Sequence, residues 1–187
     1  MAATPLPLVP GRECGSCNVC CVALTIRDPD LQKAQGIRCV HNGPDNRCAI
    51  YDARPHTCRT FHCGWRHLKW VRDGLRPDQS GVLVRLQREK GDGTGPPQLG
   101  VVFTILEERG LIAEGIAESM AAAVAARVPL FLEVPGPPGY TSGLGQVNAV
   151  LEEAVLAHDK AAMLDMLRQA WQHGHGGDNR PVMLEPP

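Results

Sequence analysis

The chain is poor in aromatic residues, with three Phe, two Tyr and three Trp among 187 positions. Trp65 and Trp70 are five residues apart and so do not share a helical face; they fit separate apolar surfaces better than a stacking platform for bases. This argues against nucleic acid as a partner. No apolar run approaches the roughly 18 residues that a membrane-spanning helix needs, so no membrane partner is expected. The first ten residues, MAATPLPLVP, lack the basic start and long apolar stretch of a secretory leader. A cytoplasmic protein is therefore expected.

Catalytic signatures are also missing. The glycine-rich GDGTG at 91–95 lacks the Lys-Ser/Thr that completes a phosphate loop and reads as a hairpin loop. Whether the protein is an enzyme stays open on sequence alone. Cysteine is absent after position 63, yet the first 63 residues hold all eight. In a reducing compartment such a concentration points to metal ligation or redox work rather than to a disulfide framework.

Charge is unevenly distributed. Residues 1–76 carry 11 Lys+Arg against 6 Asp+Glu, and residues 77–187 carry 8 against 14. A basic half can signal nucleic acid, but it coincides here with the cysteines, and metal-bound thiolates are negative. Positive side chains that offset sulfur charge explain the surplus without a polyanionic partner.

Periodicity and punctuation give an α+β fold: a loop-rich N-terminal cysteine-cluster metal module with short helices, then a small antiparallel sheet with two or three helices. The expected organisation is a flexible N-terminus (1–13), a cysteine-cluster module with a helical connector (14–77), an α+β region packed on it (78–173) and a disordered tail (174–187). Within the module, Asp28 as N-cap, Pro29 at the first helical position and Gly36 as terminator predict a short helix. Pro55 predicts another carrying Cys58 and Arg59, and residues 65–72 predict a connector helix stopped by Gly74 and Pro77. Farther on, 82–88 and 99–106 read as antiparallel strands, 114–127 as a helix ended by Pro129, and 130–134 as a third strand. Val147, Val150, Leu151, Ala154 and Val155 form one helical face, which Met163, Leu164, Leu167 and Trp171 continue or restart.

The chemistry concentrates in residues 14–21, Cys-Gly-Ser-Cys-Asn-Val-Cys-Cys. Two residues between Cys14 and Cys17 let the backbone fold round one ion, and Gly15 eases the turn. Cys20 and Cys21 are adjacent, so their side chains diverge and can serve different ions, or one can stand behind the other. Cys39, Cys48, Cys58 and Cys63 complete the candidate ligand set. Eight thiols satisfy two four-coordinate sites, one tetrathiolate site with accessory cysteines, or a polynuclear cluster.

The order CxxCxxCC, then Cys39, then Cys48-Ala-Ile-Tyr-Asp-Ala-Arg-Pro-His-Thr-Cys58-Arg-Thr-Phe61 resembles the zinc- or iron-chelating domain of YkgJ-like cysteine cluster proteins. It covers about the first third of the chain. The spacer between Cys21 and Cys39 is short for that pattern, and Cys63 is a further thiol. The resemblance implies metal binding and no particular reaction.

Two cofactors compete. Zinc would supply roughly 10 kcal/mol or more of folding free energy to a segment with few large apolar groups. An iron-sulfur cluster suits an all-thiolate set equally and would give the protein a redox or catalytic role. Structural zinc would leave the function to a protein partner or, as a further alternative, to a nucleic-acid interaction. His41, His56, His62 and His67 could each replace a thiolate, but with eight cysteines available they are secondary candidates. Arg54 and Arg59 flank Cys58 and are expected to donate to sulfur or to pair with Asp52. Tyr51 and Phe61 are expected to shield the sulfur site.

Overall fold

The computed structural model describes residues 6–88, 99–175 and 177–184; the loop expected at 91–97 lies outside them. The chain folds as α+β. Its N-terminal third holds α1 (Cys20–Ala23), the hairpin β1 (Ile26–Asp28) and β2 (Leu31–Lys33), α2 (His56–Thr60) and α3 (Gly64–His67). A connector with α4 (Pro77–Ser80) leads to β3 (Val82–Arg88), β4 (Leu99–Ile105), α5 (Ile116–Ala125), β5 (Leu130–Val134), β6 (Gly143–Gln146), α6 (Asn148–Leu156) and α7 (Lys160–His175).

The larger sheet has the order β3-β4-β5-β6 and is mixed, with two of its three pairings antiparallel. β3 and β4 run antiparallel from Val82↔Ile105 to Arg88↔Leu99, as expected. β4 and β5 are parallel, with Val101 opposite Leu130. The cause is the helix between them, because a strand-helix-strand crossover returns the chain in the same direction. β6 was not expected: Gly-Leu-Gly-Gln carries little strand signal and is held by pairing with β5 from Phe131↔Gln146 to Val134↔Gly143.

One face of this sheet is the core. Val82, Val84, Val101, Phe103, Leu130 and Leu132 alternate onto it and meet Leu111, Ile116, Met120, Leu151 and Leu167. Trp65, Val71 and Leu75 join the same core from the connector. On the other face Leu83, Val102, Thr104 and Glu133 are buried. There Arg85 Nη2 donates to Glu133 at 2.7 Å, and the Thr104 hydroxyl donates to the same carboxylate.

Two local expectations fail for identifiable reasons. Residues 28–36 form the β1-β2 hairpin, with Asp28 opposite Leu31 across a Pro29-Asp30 turn, not a helix. Asp-Pro-Asp is also a turn signature. Asp28 still caps a helix, but a distant one: its carboxylate accepts the Thr57 N–H at 3.0 Å at the start of α2, and the Asp30 N–H at 3.1 Å. The connector helix expected over 65–72 is cut to α3. The carbonyls of Trp65, Leu68 and Val71, which a longer helix would use internally, accept instead from the guanidinium of Arg12 at 2.6, 3.1 and 2.6 Å.

Both ends of the described chain make backbone contacts. Val9 N–H donates to Arg66 O at 2.7 Å, and Arg12 is buried. At the other end Thr141 N–H donates to Arg180 O and Val182 N–H to Gly139 O, both at 2.8 Å, so residues 180–182 pair with a neighbouring loop. The same loop reaches β2: Gly139 N–H donates to Gln35 O, and a Cβ on Gly36 would stand 2.9 Å from Pro138 Cα.

Candidate metal centre

Short backbone hydrogen bonds fold the cysteine-bearing segments toward one another. The CxxC turn closes through Cys17 N–H to Cys14 O at 2.8 Å, with Gly15 left-handed at φ 52°. α1 starts at Cys20, so Cys20 and Cys21 lie on successive helical positions, rotated by about 100° from each other. Cys39 N–H donates to Cys21 O at 3.0 Å, which seats Cys39 beside α1. Asn42 N–H returns to Cys39 O at 3.0 Å, and Asn42 pairs with Cys48 in an isolated bridge. Cys58 rides on α2, which Asp28 fixes to the hairpin. Cys63 is the cap residue of α3 and packs against the main core.

The outcome is a cavity of about 670 Å³. Cys14, Cys17, Cys20, Cys21, Cys39, Cys48 and Cys58 line it, together with Leu24, Ile26, Leu31, Ile50 and Phe61, and Arg85 and Leu86 of β3 complete the wall. Cys63 is not on this lining, but Cys14 is its electrostatic neighbour. All eight cysteines are free, with Cys39 buried and the others half-buried. Among the described residues no three His, Cys, Asp or Glu side chains converge as the ligands of a single ion do. The thiols ring a space.

Electrostatics inside this ring favours protonated sulfur. Burial pushes the Cys17 thiol up to about 11 and also raises Cys58 and Cys63. A buried thiol with no cation beside it keeps its proton. Cys20 and Cys21 form a hydrogen-bonded pair in which Cys20 is raised and Cys21 is lowered to about 6, chiefly by the bond Cys20 gives it and then by Lys33 and Arg54.

Two cations that the sequence did not single out stand at the sulfurs, and a buried amide lies in the chain between two cysteines. Lys33 is buried, and its ammonium donates to the carbonyls of Val22, Leu24 and Ala34, with Cys39, Cys21, Cys20 and Cys58 as charged neighbours. Arg66 Nη1 lies 3.7 Å from Cys14 Sγ. Asn42 has both side-chain polar atoms buried without a protein partner, in the turn between Cys39 and Cys48. No composition or spacing signal distinguishes these three from surface residues.

Of the residues expected to support the site, Arg54 lies over the Tyr51 ring at 3.7 Å and lowers the Cys21 thiol, whereas Arg59 is exposed. Phe61 and Tyr51 line the cavity, although Tyr51 is 56% exposed. His41 and His62 also line it; His67 instead meets Pro7 O at 3.2 Å. Trp65 belongs to the main core.

The donor set fits a soft, thiophilic metal. Ionised thiols would supply the ligands, and apolar side chains make up much of the wall between them. The chain matches no family model, no curated protein and no solved structure. No helix among the described residues is long and apolar enough to cross a membrane.

Proposed function

We propose that this protein chelates zinc or iron through its eight N-terminal cysteines, Cys14, Cys17, Cys20, Cys21, Cys39, Cys48, Cys58 and Cys63. The observation that carries this reading is the common cavity, lined by seven thiols from four separate stretches of chain. Apolar packing alone gives no reason to gather seven thiols round one space, and a cation there would release the protons that burial holds on sulfur. The resemblance to YkgJ-like cysteine cluster proteins supports the same conclusion on independent grounds.

An iron-sulfur cluster is the alternative to zinc, because an all-thiolate donor set suits both. When bound, such a cluster supplies one-electron chemistry. The protein's own residues would hold it and exclude water; Arg66 would donate toward sulfur, and Lys33 would lend positive charge beside it.

Untagged protein purified without oxygen and analysed for metals and acid-labile sulfide tests both statements. Iron with sulfide and a brown colour supports the cluster, and zinc without colour supports a mononuclear site. Protein free of transition metals that keeps its fold in the presence of chelator overturns the proposal.

A further inference from the structure

We propose that the eight thiols divide into two four-thiolate sites that meet at the Cys20–Cys21 step: Cys14, Cys17, Cys20 and Cys63 form one, and Cys21, Cys39, Cys48 and Cys58 form the other. This division rests on the chelation reading above and goes further, because it states which sulfurs share a centre.

Backbone connections define the groups. In the first, the CxxC turn ties Cys17 to Cys14. Arg66 joins Cys14 to the Cys63 end of α3, with its own N–H on Cys63 O at 2.9 Å and its guanidinium 3.7 Å from Cys14 Sγ. In the second, Cys39 N–H is on Cys21 O, and the Asn42 turn brings Cys48 back to Cys39. The charge neighbours fall the same way: Cys63 is a neighbour of Cys17, and Cys14 of both Cys63 and Cys20, whereas Cys58 has Cys21, Cys39 and Cys48.

The joint follows from helix geometry. Cys20 and Cys21 are hydrogen-bonded to each other, so the two groups touch there; successive positions on α1 are rotated by about 100°, which lets each turn to a different centre. The first group has polar support from Arg66 at Cys14. Buried Lys33 stands at the boundary, beside Cys20 as well as Cys21. Loading a divalent ion into either group displaces the protons of its four thiols to solvent and forms four metal–sulfur bonds, with no change of oxidation state.

Cobalt(II), whose colour reports tetrathiolate coordination, is the probe. Full-length protein is stripped of metal under reductant and titrated without oxygen. Two equivalents are expected, both with tetrathiolate spectra. C17S and C39S should each bind half as much. The pair C17S/C63S should lose no more than C17S, and the pair C17S/C39S should lose both tetrathiolate spectra. One equivalent in the unsubstituted chain overturns the division while leaving chelation intact, and this reading does not depend on any variant folding. Loss of both spectra in C17S/C63S, with circular dichroism unchanged from C17S, also overturns it. An unsubstituted chain that binds no cobalt and carries no metal as purified overturns chelation itself.

Discussion

Arg12 lies two residues before the first cysteine and is the most heavily bonded side chain in the N-terminal third. It is 8% exposed, and its guanidinium donates to the carbonyls of Trp65 and Val71 at 2.6 Å and of Leu68 at 3.1 Å. It also pairs with Asp73, whose side chain is 87% exposed. These two kinds of partner predict opposite outcomes on mutation. Arg12→Ala leaves the buried Trp65 and Val71 carbonyls without that donor, while Leu68 O keeps the Val71 N–H, and a buried acceptor left unpaired costs about 1–3 kcal/mol. For two such carbonyls the expected loss is about 2–6 kcal/mol, a large share of the ~5–15 kcal/mol that stabilises a typical fold. Asp73→Ala removes only an exposed ion pair and should cost less than about 1 kcal/mol.

Denaturant or thermal melting followed by tryptophan fluorescence measures the difference, because Arg12 lies over the Trp65 ring at 5.3 Å. For a chain of this size the Arg12→Ala loss corresponds to a drop of roughly 4–24 °C in Tm. Arg12→Lys keeps the charge but not the planar fork and should recover at most about half of the loss. Equal melting midpoints for Arg12→Ala and Asp73→Ala would refute the reasoning, because the carbonyl contacts would then carry no energy.

Lys33→Met removes donors to three carbonyls and the cation nearest Cys21; it should cost about 2–4 kcal/mol and reduce bound metal, as melting and elemental analysis would show. Asp28→Asn should loosen α2. The folded-state pKa of Asp28 is lowered by the Thr57 and Asp30 N–H groups, so its contribution is full above the ordinary 3.8 and fades as pH falls through the lower folded value. Wild type and D28N should therefore differ in stability at neutral pH and converge in strong acid; a difference that persists there counts against the cap. Arg85→Met strands the Glu133 carboxylate with only Thr104 and should cost about 3 kcal/mol, most of it recovered in R85M/E133L. Gly64→Ala would place a Cβ 2.7 Å from Val84 Cγ1, push α3 off β3 and cost about 1–3 kcal/mol, with cobalt binding reduced on the Cys63 side.

Legibility in the sequence followed the range of the interaction. Strands β3, β4 and β5 and helices α5, α6 and α7 have side-chain periods that reflect burial on one face, and their residues announce them. β6 has two glycines in four positions and exists because β5 offers it an edge. The β1-β2 hairpin and the shortened connector share a different cause: their decisive partners, Thr57 for Asp28 and Arg12 for the Trp65 carbonyl, lie 29 and 53 residues away. The eight thiols were legible because their number and spacing exceed what a core needs. Their grouping was not, since it depends on Cys39 reaching Cys21 O and on Arg66 spanning Cys63 and Cys14.

The basic surplus of residues 1–76 divides along the same line. Arg66 and Lys33 stand at sulfur and Arg54 lowers Cys21, as charge compensation requires. Arg12 instead binds carbonyls, Arg38 binds Gly43 O and Asn46, and Arg76 joins Asp78 to Cys14 O. These three act as struts that shape the loops carrying the cysteines, so only part of the surplus answers sulfur charge directly. Eight ionised thiolates would still outnumber the cations at the cavity, Lys33, Arg47, Arg54, Arg66 and Arg85. Ionisation of the set therefore calls for further positive charge, and a metal centre on each side of α1 would supply it where it is needed.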